Sequence, residues 1–119
     1  MAIEPDANEL QRFRQDDDGR PVVLFQVLRF LPGGRERYLE YASAVQRILV
    51  RLGAQILYAG EAGPPLIGEG WDGIVITRYP TRGTYVDMLA DLEYLKIVPL
   101  RRAALREAMM VPTDDWPGR

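Results

Sequence analysis

The segment Val22-Val23-Leu24-Phe25-Gln26-Val27-Leu28-Arg29-Phe30-Leu31 is apolar on both parities of an extended chain, and only Gln26 and Arg29 interrupt it. Successive side chains of a strand point to opposite faces, so a run of this kind needs a sheet covered on both sides. Its β-branched and aromatic residues favour a strand over a helix, and Pro32-Gly33-Gly34 stops it. Gln26 and Arg29 differ in parity and therefore belong to opposite faces. One layer of helices covers one of these faces; a second layer or a second copy must cover the other.

The clearest helix runs over Arg35–Leu52, where Tyr38, Tyr41, Ala42, Val45, Ile48, Leu49 and Leu52 recur at three- and four-residue spacing. Glu36 and Glu40 lie near its start and Arg47 and Arg51 near its end, as the helix dipole prefers, and Gly53 closes it. A second strand is predicted over Ala54–Gly60, followed by the loop Glu61–Pro65 and a short strand extension at Leu66-Ile67. Glycines 60, 63, 68 and 70 read as hairpin punctuation, since no Gly-Lys-Ser/Thr follows them to make a phosphate cradle. Asp72–Tyr79 is the third strand, ended by Pro80, and Thr81 or Thr84 caps a helix burying Tyr85, Met88, Leu89 and Leu92. A helix-to-helix break is predicted around Asp91–Val98, with Pro99 in the first turn of another helix, Leu100–Glu107, and a short edge strand at Met109-Met110-Val111 before Pro112. Residues 1–20 form an appendage with a short helix capped by Asp6, carrying Leu10 and Phe13, and ended by the turn Asp16-Asp17-Asp18-Gly19. That acidic turn lacks the alternating ligands and distal glutamate of a calcium loop.

A chain of 119 residues is long enough for one core. The expected division is an appendage over 1–20, one α+β domain over 21–113 and a tail over 114–119. Arg29-Phe30-Leu31-Pro32 and Arg78-Tyr79-Pro80 each end a strand before a helix, so the chain reads as two β-α-β halves. Folded onto one antiparallel sheet, they give the ferredoxin-like order β-α-β-β-α-β with the helices on one face. The other face is then apolar and open, which a homodimer with its sheets face to face resolves.

Several strings in this order resemble the dimeric α+β barrel superfamily and, within it, the uncharacterised domain-of-unknown-function family thirteen-thirty. They are Pro21-Val22-Val23 through Leu28-Arg29-Phe30, Arg37-Tyr38-Leu39-Glu40-Tyr41-Ala42, Tyr58-Ala59-Gly60, Trp71-Asp72-Gly73-Ile74-Val75-Ile76, Arg78-Tyr79-Pro80, and Glu93-Tyr94 followed by Leu100-Arg101. They run from about residue 21 to 111, and the appendage resembles the extra leading helix of a subgroup. The chain departs at Gln26, where an asparagine is usual, and at Asp91-Leu92, where a Ser-Pro or similar pair is usual. The resemblance implies the ferredoxin-like fold and a homodimer. Wider relatives include cofactor-free monooxygenases of aromatic substrates, small isomerases and haem enzymes, an analogy at the level of fold.

Two missing residue types narrow the chemistry. Without cysteine there is no disulfide, thiolate nucleophile, iron–sulfur cluster or cysteine zinc site; without histidine the commonest general base and metal ligand are absent. No cofactor and no metal are therefore expected, and a bound ion would have to be sought among Tyr58, Tyr94, Glu69 and Asp72. Of fifteen cationic side chains only Lys96 is a lysine; net charge is −2, with acids interleaved among the arginines rather than set apart from a basic stripe. Nucleic acid is not an expected partner. No apolar run approaches the roughly 20 residues of a membrane span, and Ile3-Glu4-Pro5-Asp6 does not resemble a signal peptide, so a cytoplasmic location is expected.

The candidate ligand-binding residues are Gln26, Arg29, Tyr38, Trp71, Arg78 and Tyr94. Arg29 should lie near Trp71 and Asp72, either in an ion pair or cation–π contact or against an anionic ligand. Gln26 either bonds backbone or water or orients a ligand carbonyl. Tyr38, Tyr41, Tyr58, Tyr85 and Tyr94 are candidates for a hydroxyl-bearing pocket; Tyr38 and Tyr41 also fit a core role with hydroxyls at its rim, while Tyr94, in the helix break, suits a cleft. Arg78 and Arg101 can attract a carboxylate, although Arg101, Arg102 and Arg106 equally fit a solvated helix face. Glu69 and Asp72, beside Trp71, read as hairpin residues or as a base with a raised pKa. No residue is assigned a catalytic role. The expected function is binding of a small aromatic or carbonyl-containing molecule in an apolar pocket. The alternatives are a cofactor-independent enzyme of monooxygenase or isomerase type and a structural or interaction domain.

Overall fold

Asp6 starts the first helix, α1 (Ala7–Gln15): its side chain accepts the Glu9 amide at 2.9 Å. The computed structural model describes residues 2–117. After α1 come β1 (Val22–Phe30), α2 (Gly34–Arg51), β2 (Gln55–Glu61), β3 (Gly73–Tyr79), α3 (Arg82–Leu89), α4 (Leu92–Ala104) and β4 (Leu105–Thr113). The strands form one antiparallel sheet in the order β2-β3-β1-β4, the ferredoxin-like topology expected from the sequence.

The central strand β1 fixes both faces. Val22, Leu24, Gln26, Leu28 and Phe30 point toward the helices, opposite Tyr79, Thr77, Val75 and Gly73 of β3. Tyr38, Tyr41, Val45, Ile48 and Leu49 of α2 close this core from above. Val23, Phe25, Val27 and Arg29 point the other way, with Ile74, Ile76 and Arg78 of β3 and Glu107, Met109 and Val111 of β4. Among the described residues no helix covers that second face, and Met109 and Val111 remain 43% and 40% exposed. The amino end of α2 meets the junction of α4 and β4 so closely that a Cβ on Gly34 would lie 2.1 Å from the Ala104 carbonyl oxygen.

Several sequence expectations need correction. Leu92 is not on the buried face of α3 but begins α4, and it is exposed. The chain does not break over Asp91–Val98, and no separate helix spans Leu100–Glu107. Asp91 is the N-cap of one helix over Leu92–Ala104, accepting the amides of Glu93 at 2.9 Å and Tyr94 at 3.2 Å. Pro99 lies inside it; Leu95, whose carbonyl loses its amide partner there, is on the same exposed side as Pro99, facing water. The last strand is not confined to Met109-Met110-Val111 but starts at Leu105 and passes through Pro112, which an edge strand tolerates. Leu66-Ile67 is not strand, and its two side chains are 100% and 94% exposed.

Asp91 also takes the Arg51 guanidinium of α2 at 2.9 Å, so one carboxylate both starts α4 and fastens it to α2. Asp91→Ala is expected to lower the urea denaturation midpoint, whereas Asp91→Asn retains most of the cap and lowers it less.

Candidate functional site

Between the sheet and the helices lies a cavity of about 430 Å³. Its wall is apolar where Leu28, Phe30, Val45, Leu49 and Val75 meet it, and five tyrosines from four elements add their rings. Tyr38 and Tyr41 come from the buried stripe of α2, Tyr79 from the end of β3, Tyr85 from α3 and Tyr94 from the first turn of α4; all five are buried. The rings form two runs. Phe30, Tyr38, Tyr41 and Tyr94 follow one another at centroid distances of 5.8, 5.4 and 6.2 Å, and Tyr79 meets Tyr85 edge-on at 5.2 Å.

Burial holds the hydroxyls of Tyr38, Tyr41, Tyr79 and Tyr85 in their protonated form. Tyr41 and Tyr94 share a bond of 2.8 Å. Burial pushes the Tyr38 phenol up to about 12, and burial likewise raises Tyr41, Tyr79 and Tyr85.

Arg101 supplies the single buried guanidinium among the described residues, 8% exposed, on the cavity wall. Tyr94, Val98 and Arg101 share one face of α4 at four- and three-residue spacing, which turns the arginine inward. Its Nη2 donates to Gln26 Oε1 at 2.7 Å and its Nη1 to the Ile3 carbonyl. Both acceptors are neutral. Among the described residues Arg101 makes no ion pair.

A strap formed by residues 2–5 crosses one side of the cavity. The Ala108 amide donates to the Ala2 carbonyl at 3.0 Å, Arg101 holds Ile3, and Arg102 holds Glu4 through two bonds of 2.5 and 3.2 Å. Glu4 and Pro5 thereby become part of the cavity wall. Behind the strap α1 is anchored to α3, with Phe13 edge-on to Tyr85 at 5.8 Å and Asp17 accepting the Gly83 amide at 3.0 Å.

The six candidate residues from the sequence separate into two groups. Gln26, Tyr38 and Tyr94 meet at the cavity. Arg29 and Arg78 lie on the opposite face of the sheet, and Trp71 goes with Arg29, its ring centroid 3.9 Å from the guanidinium. Arg29 is also paired with Glu107 and, at 3.4 Å, with Glu69, and donates to the Gly70 carbonyl, so its bonds stay within the protein. Tyr58 is half exposed on that same outer face. Asp72 accepts the Phe30 amide at 2.8 Å, and the Glu69 side chain is 79% exposed; both are hairpin residues. Tyr94 is in a helix, not a break, and Arg101 is not on a solvated face. Tyr79 carried no sequence signal beyond ending a strand. The Tyr94–Val98–Arg101 spacing was the signal for Arg101, and it is lost when a break is drawn through it.

A family model for a domain of unknown function (DUF1330) matches residues 28–113. The chain belongs to this family. Among solved structures, this DUF1330 chain is similar to the RPA0582 protein of unknown function from Rhodopseudomonas palustris, at 26% identity, over 96% of each chain, with a TM-score of 0.86. It shares its fold with a NIPSNAP domain protein from Burkholderia xenovorans (13% identity, 82% of this chain and 97% of that one, TM-score 0.62). The same holds for a dimeric ferredoxin-like protein of unknown function from Jannaschia sp. CCS1 (10% identity, 80% and 99%, TM-score 0.60). No curated protein matches the sequence. Among the described residues, no helix is long and apolar enough to cross a membrane.

The strap is expected to respond to acid. The hydrogen bond from Arg102 holds the Glu4 carboxyl below its ordinary 4.5, against the opposing effect of burial. A carboxylate with a lowered folded-state value stabilises above its unfolded value and ceases to do so as pH falls through the folded one. Hydrogen-exchange protection of the Ala108 amide is therefore expected to fall as the pH is taken below the ordinary Glu4 value of 4.5 in the native chain, and to lose that pH dependence in Glu4→Gln.

Proposed function

We propose that the protein is a homodimer in which each subunit binds a small aromatic or carbonyl-bearing molecule in the cavity between sheet and helices. The observation that carries this is the cavity itself: a volume suited to a small ligand, an apolar and aromatic wall, and a few polar groups converging on it. The open sheet face supports the dimer, because Phe25, Ile74, Ile76, Met109 and Val111 make one apolar surface that is half-buried to exposed. Two solved proteins of this fold, from Bacteroides fragilis and Jannaschia, are described as dimeric. Residues 21–113 constitute the proposed binding domain, with 1–20 as an appendage that covers the cavity and 114–119 as a tail. The proposed setting is the cytoplasm, without nucleic acid or membrane as partner and without a cofactor.

A second reading, catalysis without a cofactor, draws support from the Tyr41–Tyr94 hydroxyl pair, which can donate toward an oxyanion that develops during reaction. Binding is favoured over it because the carboxylates on the cavity wall are already engaged. Glu4 is held by Arg102, Glu61 by Arg35, and Asp72 by the Phe30 amide. No unengaged base faces the cavity among the described residues.

Titration with 2-acetonaphthone, an aromatic ketone, tests the proposal. Saturable binding of two molecules per particle of twice 13.5 kDa is expected, by calorimetry and sedimentation. Ala42→Leu, which extends a side chain into the cavity, is expected to weaken it by about tenfold, roughly 1.4 kcal/mol. A monomer at micromolar concentration contradicts the dimer; binding that is absent, or indifferent to Ala42→Leu, contradicts the cavity.

A further inference from the structure

Arg29 and Arg101, one on each side of the sheet, differ in how their charge is met. Arg29 has Glu107, Glu69 and the Trp71 ring. Arg101 is more deeply buried, yet its partners are an amide oxygen and a backbone carbonyl. A guanidinium taken out of water is costly unless an opposite charge or water compensates it. The adjacent carboxylate of Glu4 feels the Arg101 charge but is bonded to Arg102 and makes no ion pair with Arg101.

We propose that Arg101 is the anchor of a monoanion site, and that the ligand of this cavity is a monocarboxylate on a small apolar or aromatic body. This rests on the cavity binding a small molecule, and adds the charge and orientation of that molecule.

Gln26 and Tyr38 give the site its shape. Gln26 is 7% exposed, and its oxygen is taken by Arg101, since a guanidinium can only donate. Its amide nitrogen therefore remains a donor, and among the described residues it meets no acceptor. The Tyr38 hydroxyl likewise meets no partner among the described residues. No fully enclosed side-chain nitrogen or oxygen lacks a hydrogen bond among the described residues, so these two groups touch open space, and the cavity is the space their residues line. Cation, amide donor and phenol donor thus border the same volume. Donors converging on one volume suit an acceptor-only group, and a carboxylate is one.

The pairing of charges on the wall favours a single negative charge. Arg35 and Arg102 are taken by Glu61 and Glu4, which leaves Arg101 as the one wall arginine without an ion pair among the described residues; a dianion there would leave a buried excess charge. The rest of the wall, from Leu28 and Phe30 to Val45 and Leu49, then takes an apolar body. Burial keeps Tyr38 protonated at neutral pH, so it stays a donor to an anion rather than repelling it.

The test compares matched pairs on the full chain: benzoate, phenylacetate and 2-naphthoate against benzamide, phenylacetamide and 2-naphthamide. For the pair that fits best, the carboxylate is expected to bind at least about tenfold more tightly than its amide, as a charge-assisted hydrogen bond implies. In Arg101→Gln the ratio is expected to fall to about one while the amide still binds, and Arg101→Lys is expected to recover part of it. Amide binding without preference for the carboxylate, or a preference that survives in Arg101→Gln, overturns the monoanion site and leaves the cavity reading standing. Absence of saturable binding by every member of both series, and by 2-acetonaphthone, overturns both. If Arg101→Gln does not fold, the ratio in native protein and in Arg101→Lys still decides the claim.

Discussion

The hydrogen bonds from Arg101 to Gln26 and to the Ile3 carbonyl join three parts of the chain that share no other element. They connect the last helix, the middle of the central strand and the strap near the amino terminus. Burying a guanidinium opposes folding by several kcal/mol before its bonds are counted. Two neutral oxygens offset part of that, and the apolar packing around α4 must offset the rest. The arrangement therefore persists because its surroundings hold it. Tyr94, two turns earlier, is locked to Tyr41, Asp91 fixes where the helix begins, and the Gly34–Ala104 contact fixes where it ends. Small changes in the start of α4 would rotate Arg101 off the cavity, since each residue turns a helix by about 100°.

The central strand gives the two faces of the sheet different tasks. Even-numbered residues of β1 look into the cavity and odd-numbered ones onto the uncovered face, and each set contains one strongly polar side chain. On the outer face, Arg29 is enclosed in a complete set of partners, so its energetic contribution is to hold the Glu69–Asp72 segment to the sheet edge. On the inner face, among the described residues, Gln26 retains an unspent donor beside a cation that makes no ion pair. A protein that needed these groups only for its own packing would satisfy them better with a carboxylate or replace them with apolar residues. That contrast between faces locates the site more firmly than the number of polar residues near it.

Much of the fold was legible because hydrophobic period and local caps agree. The β1 run, the α2 stripe, Thr81 and Asp6 all give the observed elements within a residue or two. The region after Ala90 was misread because two local rules conflict there. Pro99 favours a helix start, while Asp91 caps a start eight residues earlier. Helix–helix packing decides in favour of Asp91, and Pro99 is tolerated on the exposed side. The candidate site was partly legible for a related reason. Parity correctly set Gln26 and Arg29 on opposite faces, but parity does not say which face holds a cavity. Arg29, Trp71 and Arg78 were therefore grouped with residues they never meet. Arg101 was obscured by the misdrawn break, and Tyr79 by standing at a strand end, where nothing distinguishes a core tyrosine from a terminal one.

A crystal structure of the protein grown with 2-naphthoate tests the central claim most directly. The expected result is a ring within the tyrosine-lined cavity and a carboxylate about 3 Å from both the Arg101 guanidinium and the Gln26 amide nitrogen. Either of two results would contradict the account. In one, Arg101 turns onto Glu4 and the cavity closes around nothing; in the other, the probe lies only on the outer face beside Arg29 and Trp71.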